Sequence, residues 1–82
     1  MRPRISKEFK NISFKEIVSL LNKQGFLGTT VKLEQYVMIY SFYSYKNGNY
    51  IYVEISKNSK GINKIYDSNR HIFNNVYELK KI

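Results

Sequence analysis

Cysteine and tryptophan are absent from the 82 residues, and the chain has one proline and one histidine. Without cysteine, no disulfide can support the core and no thiolate can hold a metal. A lone His71 excludes the usual multi-histidine zinc ligations and any catalytic histidine pair. Acids are scarce as well, 6 against 14 Lys and Arg, which leaves a formal net charge of +8. They are scattered, and no two form an evident metal or glycosidase pair. The four glycines are each expected in a turn or cap. The chain therefore carries no P-loop, dinucleotide fingerprint or nucleophile elbow. No run approaches the ~18 apolar residues of a membrane span. The basic start, Met1 to Lys7, is followed by Glu8, Lys10 and Asn11 rather than an apolar stretch. No secretory signal is expected, and the expected setting is cytoplasmic.

Hydrophobic residues make up 43% of the chain, enough for a packed domain and too many for a disordered one. Residues 1–11 are expected to form a basic arm, and residues 12–82 a single α+β domain. The first helix is announced by a capping box, Ser13 with Glu16. Ile12 and Ile17 supply a hydrophobic staple across that cap. Phe14, Ile17, Val18 and Leu21 recur at helical spacing. Gly25 then stands where a left-handed residue ends a helix, with Phe26 placed to contact Leu21. These signals predict a helix over about residues 14–24.

Gly28-Thr29-Thr30 reads as a breaker, and a β pattern begins at Val31. Tyr36 to Tyr45 and Tyr50 to Ser56 are rich in aromatic and β-branched residues. Asn47-Gly48 lies between them, the strongest short-range hairpin signal. A second turn at Lys57–Gly61 leads to a short strand over residues 62–66. Asp67-Ser68-Asn69 could cap a last helix carrying Ile72, Phe73, Val76 and Leu79, with His71 in its first turn; a final strand is the alternative. The expected order is α-β-β-β-α. It implies a three-stranded antiparallel sheet, four-stranded if Val31–Leu33 joins, with the helices on one face.

A two-residue loop at Asn47-Gly48 would set Tyr45 opposite Tyr50, Tyr43 opposite Tyr52, Phe42 opposite Val53 and Tyr40 opposite Ile55. Alternation then sorts the hairpin into two faces. Met38, Tyr40, Phe42, Ile51, Val53 and Ile55 form the core side, interrupted by Ser44. Tyr43, Tyr45, Tyr50 and Tyr52 form the other, near Lys46 and the Lys57/Lys60 turn.

Three readings of the tyrosine face follow. Cross-strand aromatic pairs stabilise a hairpin on their own account. Tyrosine favours protein-binding hot spots. Aromatic platforms beside positive charge stack nucleic-acid bases, at ~1–3 kcal/mol per base. The expected function is non-enzymatic binding by a small accessory or regulatory protein that contacts nucleic acid. Tyr43, Tyr45, Tyr50 and Tyr52 would stack, and Lys46, Lys57, Lys60, Lys64 and Arg70 would contact phosphates. Only 3 of the 14 cations are Arg, which points to backbone contacts rather than base reading. The alternative is a phage- or mobile-element-encoded inhibitor of host nucleic-acid machinery, anti-CRISPR-like, docking on an acidic protein or nucleoprotein surface. A homodimer would bury the same face. No cofactor, metal or membrane is called for.

Phe14 to Phe26 also resembles the opening helix of small mRNA-cleaving toxins with a double-stranded-RNA-binding-like fold. That resemblance covers 13 residues and implies an α-β-β-β-α fold and, as a minor alternative function, mRNA cleavage of the kind that some such toxins carry out with Tyr, Lys, Arg and Glu in place of a histidine pair. The Gly-Ser-His segment that those toxins carry on the next strand is missing.

Overall fold

The computed structural model describes residues 9–82. The element order is α1 (Phe14–Lys23), β1 (Phe26–Leu33), β2 (Val37–Ser44), β3 (Asn49–Ser56), β4 (Ile62–Asp67), β5 (Ile72–Phe73) and α2 (Val76–Lys80). The strands form one antiparallel sheet in the order β1-β2-β3-β4-β5, each paired with its neighbour in sequence. The class is α+β as expected, but the strands number five rather than three or four. The order departs accordingly from that of double-stranded-RNA-binding domains.

Helix α1 begins at its capping box. The Glu16 N–H donates to Ser13 Oγ at 3.2 Å, and the Ser13 N–H donates to Glu16 Oε1 at 3.3 Å. Its end is set by Gly25, at φ +91°, where any other residue would be strained. Ile17 and Leu21 are fully buried, and Phe26 packs into the same cluster.

Three expected features differ. First, Gly28-Thr29-Thr30 does not end a segment; it lies inside β1. The ladder absorbs one extra residue between Gly28 and Thr30, and Thr29 Oγ1 donates to the Ser41 carbonyl at 3.1 Å. Threonine keeps its β preference, and a bulge accommodates the glycine.

Second, the Asn47-Gly48 hairpin closes through four residues, 45–48, with Ser44 opposite Asn49. The Gly48 N–H donates to the Ser44 carbonyl at 2.8 Å, and the Asn47 N–H to Ser44 Oγ at 3.0 Å. Only Gly48 takes a positive φ, +71°. A buried serine able to hold the loop outcompetes the two-residue turn. The register moves from the expected one by two residues: Tyr43 faces Tyr50, Ser41 faces Tyr52 and Tyr40 faces Val53. Because the shift is even, every side chain that remains in the two strands keeps its expected face, while Tyr45 moves into the loop.

Third, Asp67 caps no helix. Its Oδ1 accepts the N–H groups of Asn69 and His71 at 2.9 and 3.0 Å, closing a tight loop with Arg70 at φ +66°. Such local capture of backbone is what aspartate does in turns. His71 therefore precedes a strand, its ring edge-on to Phe73 at 4.8 Å. Both alternatives for this region are realised in sequence: β5 comes first, then α2, capped by Asn75, whose Oδ1 accepts the Glu78 N–H at 3.0 Å.

The core lies between the helices and one sheet face. Ile17, Leu21 and Leu79 of the helices join Phe42, Ile51, Val53, Ile55, Ile62 and Ile65 of the strands. Gln24 Nε2 donates to the Lys80 carbonyl at 2.9 Å and ties α1 to α2. Of the expected basic arm, residues 1–8 lie outside the described residues, while Phe9 is buried in the core.

Candidate functional site

The other face of the sheet is covered by no described element. Register and alternation arrange its side chains in rows across the strands. One row runs Leu27–Tyr43–Tyr50. The next spans all five strands, Thr30–Ser41–Tyr52–Tyr66–Ile72. A third runs Lys32–Ile39–Glu54–Lys64. Successive rows lie about 7 Å apart, two residues along an extended chain.

Tyrosine rings in the first two rows touch in an unbroken series. Tyr45 meets Tyr43 edge-on at 5.0 Å, and Tyr43 meets Tyr50 at 4.7 Å. Tyr50 stacks on Tyr52 at 5.9 Å with 8° between the planes. Tyr52 meets Tyr66 at 5.2 Å. Tyr45 is 82% exposed and Tyr50 38%, while Tyr43, Tyr52 and Tyr66 are partly buried. Leu27 and Ile72 flank the series and are more than half exposed. Opposite Tyr43, at the far end of β2, Val37 is buried where two turns meet through the Lys57 N–H and the Tyr36 carbonyl.

The four tyrosines expected from the hairpin are thus gathered on one face. Tyr66 is a fifth that sequence reasoning missed. Its signal was the β3–β4 register, which a bulge at Asn63 obscures: Glu54 pairs with Lys64 but Ile55 pairs with Ile62.

The expected cations divide. Lys64 lies on the face, its Nζ 5.2 Å from the centre of the Tyr66 ring, within cation–π range. Lys46 and Arg70 occupy the two turns at the Tyr45/Tyr50 end, which are joined where the Ser68 N–H donates to the Tyr50 carbonyl at 3.0 Å. Lys57 and Lys60 occupy the β3–β4 turn at the opposite end of β3, an eight-residue strand of roughly 25 Å. The structure does not bring these two to the tyrosines.

The face also holds negative charge. Glu54 stands in the third row, and Asn63 Nδ2 donates to its Oε2 at 3.4 Å. Lys32 pairs with Glu34 at 3.5 Å, an exposed contact of little energetic weight. Partial burial, and then the Glu54 carboxylate, push the Tyr66 phenol above its ordinary value of 10.0.

His71 touches Phe73 and the Asp67 loop, and among the described residues no three His, Asp or Glu side chains gather as metal ligands. Among the described residues no helix is long and apolar enough to cross a membrane. What the arrangement offers is an aromatic surface of five connected rings, edge-on, tilted and stacked in turn, with Lys46 and Arg70 in the turns at one end and mixed charge at the other. Comparison with protein-family models, curated proteins and solved structures finds no match to this chain.

Proposed function

We propose that the protein is a non-enzymatic binder of single-stranded nucleic acid, with the tyrosine face as its platform. The observation that carries this reading is the unbroken series from Tyr45 to Tyr66 on a sheet face that the helices leave uncovered. Aromatic rings on an open antiparallel sheet stack unpaired bases, whose π-faces are accessible only outside a duplex. Lys46, Arg70 and Lys64 border the series and would hold phosphates; the net charge of +8 would draw a polyanion in.

The test is anisotropy of labelled single-stranded RNA and DNA at several salt concentrations. Three bordering cations predict a slope of log K against log salt of about −2, at roughly −0.7 per phosphate neutralised. Lys57→Ala and Lys60→Ala should leave that slope unchanged, since they lie at the other end. No binding at ~50 mM salt would refute the reading.

A second reading rests on Glu54 and on the aliphatic Leu27, Ile39 and Ile72 around the rings. Carboxylates repel phosphates, and exposed aliphatics have no stacking role; both suit a protein surface. The protein would then act as an inhibitor docking on host nucleic-acid machinery. Capture of one protein from lysate that survives nuclease and is lost with Tyr52→Ala would favour it.

A further inference from the structure

The sheet has two edges of different kinds. At one, β5 is only two residues long and runs directly into α2. At the other, β1 is eight residues long, and every residue after Phe26 is exposed. Among the described residues nothing pairs with its outer side. Long open edges are ordinarily blunted, because their free N–H and C=O groups template another strand. The Thr29 bulge interrupts the first half of β1. The second half, Val31-Lys32-Leu33, is regular.

The ladder shows which groups are free. The Glu34 N–H bonds to the Val37 carbonyl at 2.9 Å. Hydrogen-bonded pairs alternate in an antiparallel ladder, so Lys32 also directs its backbone groups to β2. Val31 and Leu33 direct theirs outward. Their side chains lie on the core face of the sheet. Beside Val31 that face opens into a groove of about 390 Å³ between α1 and β1, lined by Phe14, Val18, Tyr40 and Phe42. Phe14 and Tyr40 form its wall, with ring centres 4.5 Å apart. Gly28 lies on its floor, where an added Cβ would sit in ordinary contact with the Phe42 ring at 3.5 Å. An added strand would therefore place the side chain opposite Val31 beside this groove, the one opposite Leu33 further along the same face, and the one between them on the tyrosine side, opposite Lys32.

Charge selects the occupant: Lys32, in exposed contact with Glu34 at 3.5 Å, stands on an edge of a chain that carries +8. A second copy of this chain, paired about a twofold axis between the free groups of Val31 and Leu33, would set Lys32 directly against Lys32, and like charges in that position destabilise a pair. Centred on Leu33 it would set Lys32 against Glu34, and the net charge of the two chains then opposes the pairing. An acidic residue fits instead. We propose that the Val31–Leu33 edge takes up an extended segment of another protein by strand addition. Its pattern is apolar–acidic–apolar, one apolar side chain meeting the α1–β1 groove beside Val31, the other covering the exposed Leu33, and the acid facing Lys32. Main-chain bonds supply the affinity in such docking, and alternate side chains the specificity. This site is independent of the tyrosine platform.

The test is selection from a displayed library of random peptides with the intact protein as bait. The expected result is enrichment of apolar–acidic–apolar sequences. Val31→Pro removes an outward N–H that no ladder bond uses, and Val31→Lys places a charge at the groove; each should weaken an enriched synthetic peptide about tenfold or more. Lys32→Glu, which leaves the groove intact, should switch the preferred central residue from acidic to basic. Tyr52→Ala should leave peptide binding unchanged. Four results would each overturn the assignment. They are failure to enrich that pattern, equal binding by both Val31 variants, an unchanged preference with Lys32→Glu, and protection of the Val31 and Leu33 amides from exchange in a concentration-dependent dimer without peptide.

Discussion

Replacing Tyr52 by alanine separates the two roles that the tyrosine series could have. Tyr52 sits at the middle of the longest row, touched on one side by Tyr50 and on the other by Tyr66. It is not among the core residues, so its loss opens no cavity between sheet and helices. What disappears is two aromatic contacts, each worth about 0.5–1.5 kcal/mol beyond area. The expected destabilisation is therefore about 1–3 kcal/mol, below the ~3–5 kcal/mol of truncating a buried aromatic. For a domain of this size, each kcal/mol lowers Tm by roughly 4–8 °C. Urea denaturation should show a lower midpoint with an unchanged slope, because the exposed area on unfolding scarcely changes. On the binding side, one stacked base lost is ~1–3 kcal/mol, which weakens a single-stranded oligonucleotide by about five- to 150-fold. Both should be measured on one preparation, at a temperature where the variant is fully folded. If stability falls and oligonucleotide affinity is unchanged, the series is a structural ladder and the proposed platform is refuted. If stability falls by more than about 4 kcal/mol, the ring is part of the core and the face is not open.

Other outcomes follow from the same structure. Ser13→Ala removes the acceptor of the Glu16 N–H and should cost about 1 kcal/mol in a denaturant titration. Gly25→Ala meets no steric contact but must adopt φ +91°, so calorimetry should show a loss of about 1 kcal/mol or more from backbone strain alone. Ile65→Ala, fully buried where β4 faces Val53 and Phe73, should cost about 2–5 kcal/mol, a large part of what a small domain has. The Tyr66 phenol is raised above 10.0 in the folded protein, so the fold favours its neutral form. Its contribution is fully present below pH 10 and is lost as pH rises through the folded value. Absorbance titration of Glu54→Gln should bring the Tyr66 transition down toward the ordinary value; no change would exclude the Glu54 charge as a cause.

The amino-acid sequence by itself determined whatever depends on neighbours within a few residues. Ser13, Glu16 and Gly25 mark both ends of α1, because caps are closed by groups three or four positions away. The sorting of Tyr43, Tyr45, Tyr50 and Tyr52 away from Phe42, Val53 and Ile55 was legible too, because alternation has a period of two and survives an even slip of register. The slip itself was not legible. It depends on Ser44 being buried and aimed at the Asn47 N–H, and burial is a property of the packed chain. The bulge at Thr29 and the strand through Gly28 depend on pairing with β2, since an isolated Gly-Thr-Thr has no strand to lean on. The place of Lys46 beside Tyr45 was legible in the sequence; tertiary structure decided which other charges join it. It brought Tyr66 and Lys64 to the platform through the β3–β4 register and put Arg70 beside the same end as Lys46. It left Lys57 and Lys60 a strand's length away, because an antiparallel meander sends alternate turns to opposite ends of the sheet.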